Sequence, residues 1–146
     1  MEQFLLDTNI ISELIKPAPN ANMTSWLRQQ DSESLYISVI TIAEIMRGVA
    51  RISESQKKSK LMSWVRKEIP KQFEGRILDF DHIAALLWGE MQGEGDRVGA
   101  PKPVMDTQIA AIAKRFGMTL VTRNEKDFCS LSIEVFNPFS IDGADT

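Results

Sequence analysis

The amino-acid sequence predicts an α/β fold, a mostly parallel sheet covered by helices on both faces. Three observations carry that expectation. Short apolar runs rich in β-branched residues alternate with longer segments of helical period. Those helical segments reach the roughly ten residues that a crossover between parallel strands needs. The 146 residues, at roughly 150 per domain, make one domain. Residues 1–146 are therefore taken as one unit, with an ordered core over about 3–139 and a short C-terminal tail. There is no internal repeat and no low-complexity segment.

Phe4-Leu5-Leu6 is the first strand, ending at Asp7. Asn9 to Lys16 places Ile11, Leu14 and Ile15 at helical spacing, and Asn22 to Gln30, with Trp26 and Leu27, is a second helix. Leu35 to Ile40 reads as a buried strand and Thr41 to Ile52 as the helix after it. Ser55 to Phe73 carries Leu61, Trp64 and Val65 among lysines and arginines, a helix with a basic face and an expected break at Pro70. Arg76 to Phe80 is a strand and Asp81 to Gln92 a helix, followed by the Gly93-Glu-Gly95 stretch. Met105 to Phe116 is a helix closed by Gly117. Thr119 to Thr122 and Ile133 to Phe136 complete the strands.

Composition narrows the function. The 43% apolar and 25% charged residues are ordinary globular values, which excludes disorder, collagen and coiled coil. No apolar run approaches the ~20 residues of a membrane span. Met1 to Asp7 has neither a basic nor a long apolar region, so no secretory signal is expected. The one cysteine, Cys129, makes no internal disulfide and no cysteine zinc site, and fits a reducing cytoplasm. The one histidine, His82, excludes any Ser-His or Cys-His site built elsewhere. Seventeen basic against 20 acidic residues give a net charge of −3, the wrong sign for coating duplex nucleic acid by bulk charge. A nuclease with an acidic metal site remains compatible with that balance.

Four acids stand at strand ends or helix starts: Asp7, Glu44, Asp106 and Asp127. Each has a structural reading by itself. Asp7 makes an Asx turn, Asp106 an N-cap, Thr41-x-x-Glu44 a capping box, and Asp127 a solvated loop acid. Together they converge at the carboxyl ends of parallel strands, where α/β sheets bind ligands. Their mutual repulsion calls for a divalent counter-charge, and hard oxygen donors select Mg²⁺ or Mn²⁺. Such a cluster supports phosphoryl-transfer chemistry without histidine or cysteine.

With these motifs assembled, the chain resembles the PIN-domain ribonucleases, and within them the VapC-type toxins of bacterial toxin–antitoxin pairs, in the branch that includes FitB. The resemblance runs from Phe4 to Phe139. It rests on LLDTNIISEL near the start, ISVITIAEIMRGV, MDTQIAAIA, and GMTLVTRNEKDF. It implies a three-layer α/β/α PIN-like domain with the acidic site at the carboxyl ends of the strands. By position it assigns the catalytic metal-site roles to Asp7, Glu44, Asp106 and Asp127. Asp7 and Asp106 would be the principal ligands, with Glu44 and Asp127 completing the site directly or through water. It implies a Mg²⁺- or Mn²⁺-dependent endoribonuclease acting on RNA, often transfer or ribosomal RNA, and leaving a 5′-phosphate and a 3′-hydroxyl. It further implies a VapB-type antitoxin as partner, DNA contact only through that antitoxin, and a homodimer. Thr8, Asn9, Thr122 and Asn124 are polar neighbours placed to orient ligands or phosphate.

Other features have plainer readings. Lys57, Lys58, Lys60, Arg66, Lys67 and Lys71 read as a solvated helix face, or as phosphate contacts if that face borders the acids; Arg97, Lys102 and Arg123 have the same alternative use. Trp26, Trp64 and Trp88 read as core or dimer packing, His82 as a cap-region residue, and Cys129 as a small packed hydrophobe. A haloacid-dehalogenase-type phosphatase would want a second Asp where Asn9 stands. A receiver domain would want paired acids at the first strand end, and Glu2 with Lys126 is a poor match. A housekeeping processing nuclease and an inactive PIN-fold interaction protein are the remaining alternatives.

Overall fold

The computed structural model describes residues 2–140; the short C-terminal tail lies outside the described residues. Strands β1 (Phe4–Leu6), β2 (Leu35–Ser38), β3 (Ile77–Leu78), β4 (Thr119–Val121) and β5 (Val135–Phe136) form one sheet in the order β3-β2-β1-β4-β5. Every pairing is parallel, with Phe4 opposite both Leu35 and Thr119. The helices are α1 (Thr8–Leu14), α2 (Ala21–Arg28), α3 (Val39–Ala50), α4 (Gln56–Ser63), α5 (Ile69–Gln72), α6 (His82–Arg97) and α7 (Val104–Phe116). Among the described residues, no helix is long and apolar enough to cross a membrane.

Alternation along the strands divides the interior into two cores. Phe4, Leu6, Ile37 and Val121 face one side, packed with Ile10, Ile11, Met23, Ile45, Val49, Val65 and Ile69 from α1 to α5. Leu5 and Leu120 face the other, packed with Ala84 and Met91 of α6 and Ile109 to Ala113 of α7. The result is the expected three-layer α/β/α arrangement with β1 at its centre, and the chain after β1, β2 and β4 opens toward one end of the sheet.

Several boundaries differ from expectation, each for a local reason. Helix α3 starts at Val39 because Ser38 is its cap, its side chain accepting the Thr41 N–H at 3.2 Å. Thr41 is thus inside the helix, and no Thr41–Glu44 capping box forms. Helix α7 begins at Val104 after Pro103, so Asp106 lies in its first turn rather than capping it. Helix α6 runs through Gly93 and Gly95 to Arg97, because its pairing with α7 outweighs two poor helix formers. At Pro70 the chain does not break. The ring would press on the carbonyl of Arg66, and a single π-turn over Trp64–Glu68 widens the helix there, with the Ile69 N–H bonded to the Trp64 carbonyl. Gly117 ends α7 with φ 65°, as expected of a left-handed cap. Cys129 is exposed, not packed; the chain there faces water and Phe128 takes the buried place.

Candidate active site

Asp7 is the first residue past the central strand, and that position defines its surroundings. Its backbone N–H still bonds to the Val121 carbonyl of β4 at 2.9 Å, so it is fixed by the sheet. Its side chain caps α1, with Oδ1 accepting the Thr8 N–H at 2.8 Å. Oδ2 accepts the Thr122 hydroxyl at 2.8 Å and, more weakly, the Asn9 amide at 3.4 Å. The residue is only 5% exposed. Burial pushes its carboxyl up to about 6, against the pull of the Thr122 and Thr8 hydrogen bonds, and the charges of Asp106 and Glu44 push the same way.

Each remaining acid arrives on a different element. Glu44 comes from the second turn of α3, where its Oε1 accepts the Thr8 hydroxyl at 2.5 Å. Thr8 Oγ1 also shares a hydrogen bond of 3.1 Å with the buried Thr41 hydroxyl. Thr8 therefore touches two acids, Asp7 through its backbone and Glu44 through its side chain. Asp106 sits half-buried in the first turn of α7, where the helix dipole favours an anion. Burial nonetheless raises its carboxyl pKa, with Glu44 and Asp127 adding to the rise. Asp127 is exposed on the 3₁₀ turn Glu125–Phe128 that follows β4.

The four acids named from the sequence are thus gathered at one end of the sheet, near enough for Asp106 to feel both Glu44 and Asp127. Among the described residues none of the four forms an ion pair. Nor are any three His, Cys, Asp or Glu side chains grouped to hold a metal ion by themselves. The donor chemistry nevertheless fits a hard divalent cation: all oxygen, unpaired, with one member buried and reluctant to ionise. Mg²⁺ commonly uses one or two carboxylates and keeps several waters, which suits acids spaced in this way.

Asn9 and Thr122 form a small bonded set beside Asp7: Asn9 Nδ2 donates to Thr122 Oγ1 at 3.1 Å, and Asn9 Oδ1 accepts the Arg123 N–H at 3.2 Å. Asn124 reaches this set through its backbone, its N–H donating to Thr122 Oγ1 at 3.1 Å. Thr41 reads from the sequence only as the cap of a Thr41-x-x-Glu44 box, with no role at the site. Thr107 was also missed. It accepts Trp88 Nε1 at 2.9 Å and Gln92 Nε2 at 2.7 Å, and its own hydroxyl bonds the Pro103 carbonyl at 2.7 Å. These bonds pin the turn that carries Asp106. A threonine next to a motif acid was the available signal.

The other expectations sort by location. Trp26 packs edge-on against Phe4 at 4.9 Å and against Phe136, and Trp88 edge-on against Phe80, so both are packing residues. Trp64 is half-buried against the core. His82 is the exposed first residue of α6, behind its cap Asp81. Of the middle basic residues, Lys57, Lys60, Arg66, Lys67 and Lys71 are exposed, and Lys58 pairs with Glu54 at 2.9 Å. Arg97 is tied to Glu94 at 2.6 Å and Lys102 to Ser130 at 3.0 Å.

Comparison with known proteins agrees with this geometry. A family model described as PIN domain matches residues 4–133. Toxin FitB of Neisseria gonorrhoeae is 37% identical over 135 residues, covering 92% of this chain and 97% of its own. The VapC ribonuclease Y4jK of Sinorhizobium fredii is 30% identical over 135 residues, 92% of this chain and 96% of its own. The crystal structure of FitAcB from Neisseria gonorrhoeae superposes with a TM-score of 0.87 at 36% identity, covering 95% of this chain and 100% of the other. A toxin–antitoxin complex from Klebsiella pneumoniae gives 0.70 at 25% identity, covering 95% and 100%.

Proposed function

The chain belongs to the PIN-domain family, and from that membership we propose that it is the ribonuclease toxin of a bacterial toxin–antitoxin pair, cutting RNA with the help of Mg²⁺ or Mn²⁺. The observation that carries the chemistry is the gathering of Asp7, Glu44, Asp106 and Asp127 from four separate segments around one buried carboxylate. Relatives of nearly equal length named as a toxin and as a ribonuclease support the role. In this reading the partners are an RNA, with transfer or ribosomal RNA first among them, and a VapB-type antitoxin. A homodimer and a cytoplasmic location complete it.

Asp7 and Asp106 would hold the cation, and Glu44 and Asp127 would bind it directly or through its waters. When bound, a divalent ion there polarises the scissile phosphate and makes an attacking water acidic. The protein's own contribution is positional. Thr8, Thr122 and Asn9 hold the Asp7 carboxylate at a fixed angle. Thr8 holds Glu44 in place, and the Thr107 bonds hold the turn bearing Asp106. Removing such supports around a metal ligand typically costs about 10–100-fold.

Cleavage of a mixed transfer and ribosomal RNA pool, with Mg²⁺, Mn²⁺ or EDTA, tests the proposal. Asp106→Asn keeps the shape of the side chain and removes one charge. It should lose more activity than the roughly 100-fold upper range for an outer support, while circular dichroism reports an unchanged fold. Wild-type cleavage by that variant, or undiminished cleavage in EDTA, would overturn the metal-site assignment.

A further inference from the structure

Beside the acids lies an open cleft of about 330 Å³, lined by Arg123, Asn124, Glu125, Lys126, Asp127 and Asn137. Asp127 belongs to the acidic set, so the cleft and the proposed reaction centre share a wall. Arg123 is the best-anchored cation on it. Its backbone N–H is bonded to Asn9 Oδ1, and Asn9 is bonded in turn to Asp7 and Thr122. Its carbonyl accepts the Asn137 amide at 3.2 Å, and the Asn137 carbonyl oxygen of the side chain accepts the Phe139 N–H at 2.9 Å. Its guanidinium lies 4.5 Å from the centroid of the buried Phe139 ring. Among the described residues the one carboxylate within 4 Å of that guanidinium, Glu13, stands 3.9 Å away and is already bonded to Lys16 at 2.9 Å.

A guanidinium stacked on a ring has its face occupied and its N–H edge free. That edge suits a phosphate, which it can meet with two parallel hydrogen bonds. The side chain is half-exposed, so an incoming anion need not displace a strong partner. The cleft lies within the size range of small-ligand sites. Amides from Asn124 and Asn137 and the ammonium of Lys126 line it further.

We propose that this cleft is a nucleotide subsite, in which Arg123 grips the backbone phosphate next to the one being cut. This deepens the ribonuclease reading and rests on it, by naming a substrate contact outside the acidic set. Phe139 acts as a platform that fixes the plane of the guanidinium, and Asn9 couples the position of Arg123 to that of Asp7. RNA seated here would present its neighbouring phosphate to the acids.

The test is equilibrium binding of a short, fluorescein-labelled single-stranded RNA of mixed sequence, in EDTA, across a salt series. Wild type, R123Q, R123K and the control K71Q are compared, Lys71 being an exposed residue of α5 that does not line the cleft. One lost phosphate contact on a single strand lowers the log–log salt slope by about 0.7. R123Q should show that loss with affinity down about tenfold, the size of one good charged contact. R123K should keep the slope and bind with intermediate affinity, since a lysine retains the charge without the stacked fork. K71Q should match wild type. Thermal melts of all four establish that the fold is kept.

An R123Q slope equal to wild type, or a K71Q loss as large as that of R123Q, would overturn the subsite. Cleavage of the same RNA in Mg²⁺ and Mn²⁺ separates the two levels. Arg123-dependent binding without any cleavage would retain the subsite and remove the ribonuclease reading. Cleavage with binding indifferent to Arg123 would do the reverse.

Discussion

At residue scale, Asp7 carries the largest conflict in the molecule. It is buried, held by three donors, and still raised to about 6. In an unfolded chain its carboxyl ionises near 3.8. Between those values the folded protein keeps a proton that the unfolded chain has lost. Stability contributed by this group is therefore complete at low pH and drains away as pH rises through about 6. Above that the ionised carboxylate costs on the order of 3 kcal/mol. Asp7→Asn should relieve it. Without added divalent ion at pH 7.5, the variant should melt several degrees above wild type, and the difference should shrink toward pH 4. Parallel melting curves at both pH values would contradict the burial account. The four acids were readable as strand-end residues from the sequence, since the carboxyl end of a parallel sheet is where such residues meet. Their supports were less so: Thr41 and Thr107 look like ordinary helix-start residues until their hydroxyls are seen bonded.

At the scale of elements, periodicity located every strand and α-helix, with α4 and α5 read as one segment. It gave no sign of the 3₁₀ turns at Ser32–Ser34 and Glu125–Phe128, and chain contacts set the ends. Strands β3 and β5 keep only two paired residues each, because they lie at the sheet's edges. Helix α6 was the larger surprise, and its two late glycines differ. A Cβ on Gly93 would meet nothing within 4 Å, whereas one on Gly95 would lie 2.8 Å from the Ala100 carbonyl oxygen. That carbonyl belongs to the loop leading to α7, and the Ala100 N–H bonds back to the Gly95 carbonyl at 2.8 Å. Gly95 is thus required by a close backbone approach that no local propensity reveals. Gly93→Ala should stabilise the protein by about 0.5–1 kcal/mol, the ordinary helix preference. Gly95→Ala should destabilise it by at least about 1 kcal/mol, as overpacking does. Urea denaturation of the pair would decide it, and equal shifts of one sign would refute the contact.

Considered as a whole, the molecule is two cores sharing one thin sheet, and β1 belongs to both. Leu5 and Leu6 are buried to 0% and 1% exposure on opposite faces. Either leucine cut to alanine should cost roughly 2–5 kcal/mol. If the sheet couples the cores, Trp26 on one side and Trp88 on the other report the same shifted midpoint in both variants. Fluorescence of single-tryptophan proteins would read this directly, and separate midpoints would show two independent units. The parallel class of the sheet was foreseeable from alternating strands and helices. Its order was not, because β1 pairs with β4 more than a hundred residues away, and nothing local encodes that partner.

That pairing has a consequence for synthesis. Asp7 leaves the ribosome well before its Thr122 partner, which stands 115 positions later. Its backbone partner Val121 and the acid Asp106 also lie far along the chain. A growing chain therefore carries the first of its acids across those positions without being able to assemble the set. At roughly 5–20 residues per second, the nascent protein spends several seconds with its acidic end unassembled. A chain arrested before β4 emerges can pair β1 with β2 but lacks the strand whose Val121 carbonyl and Thr122 hydroxyl fix Asp7, so its acidic end stays open.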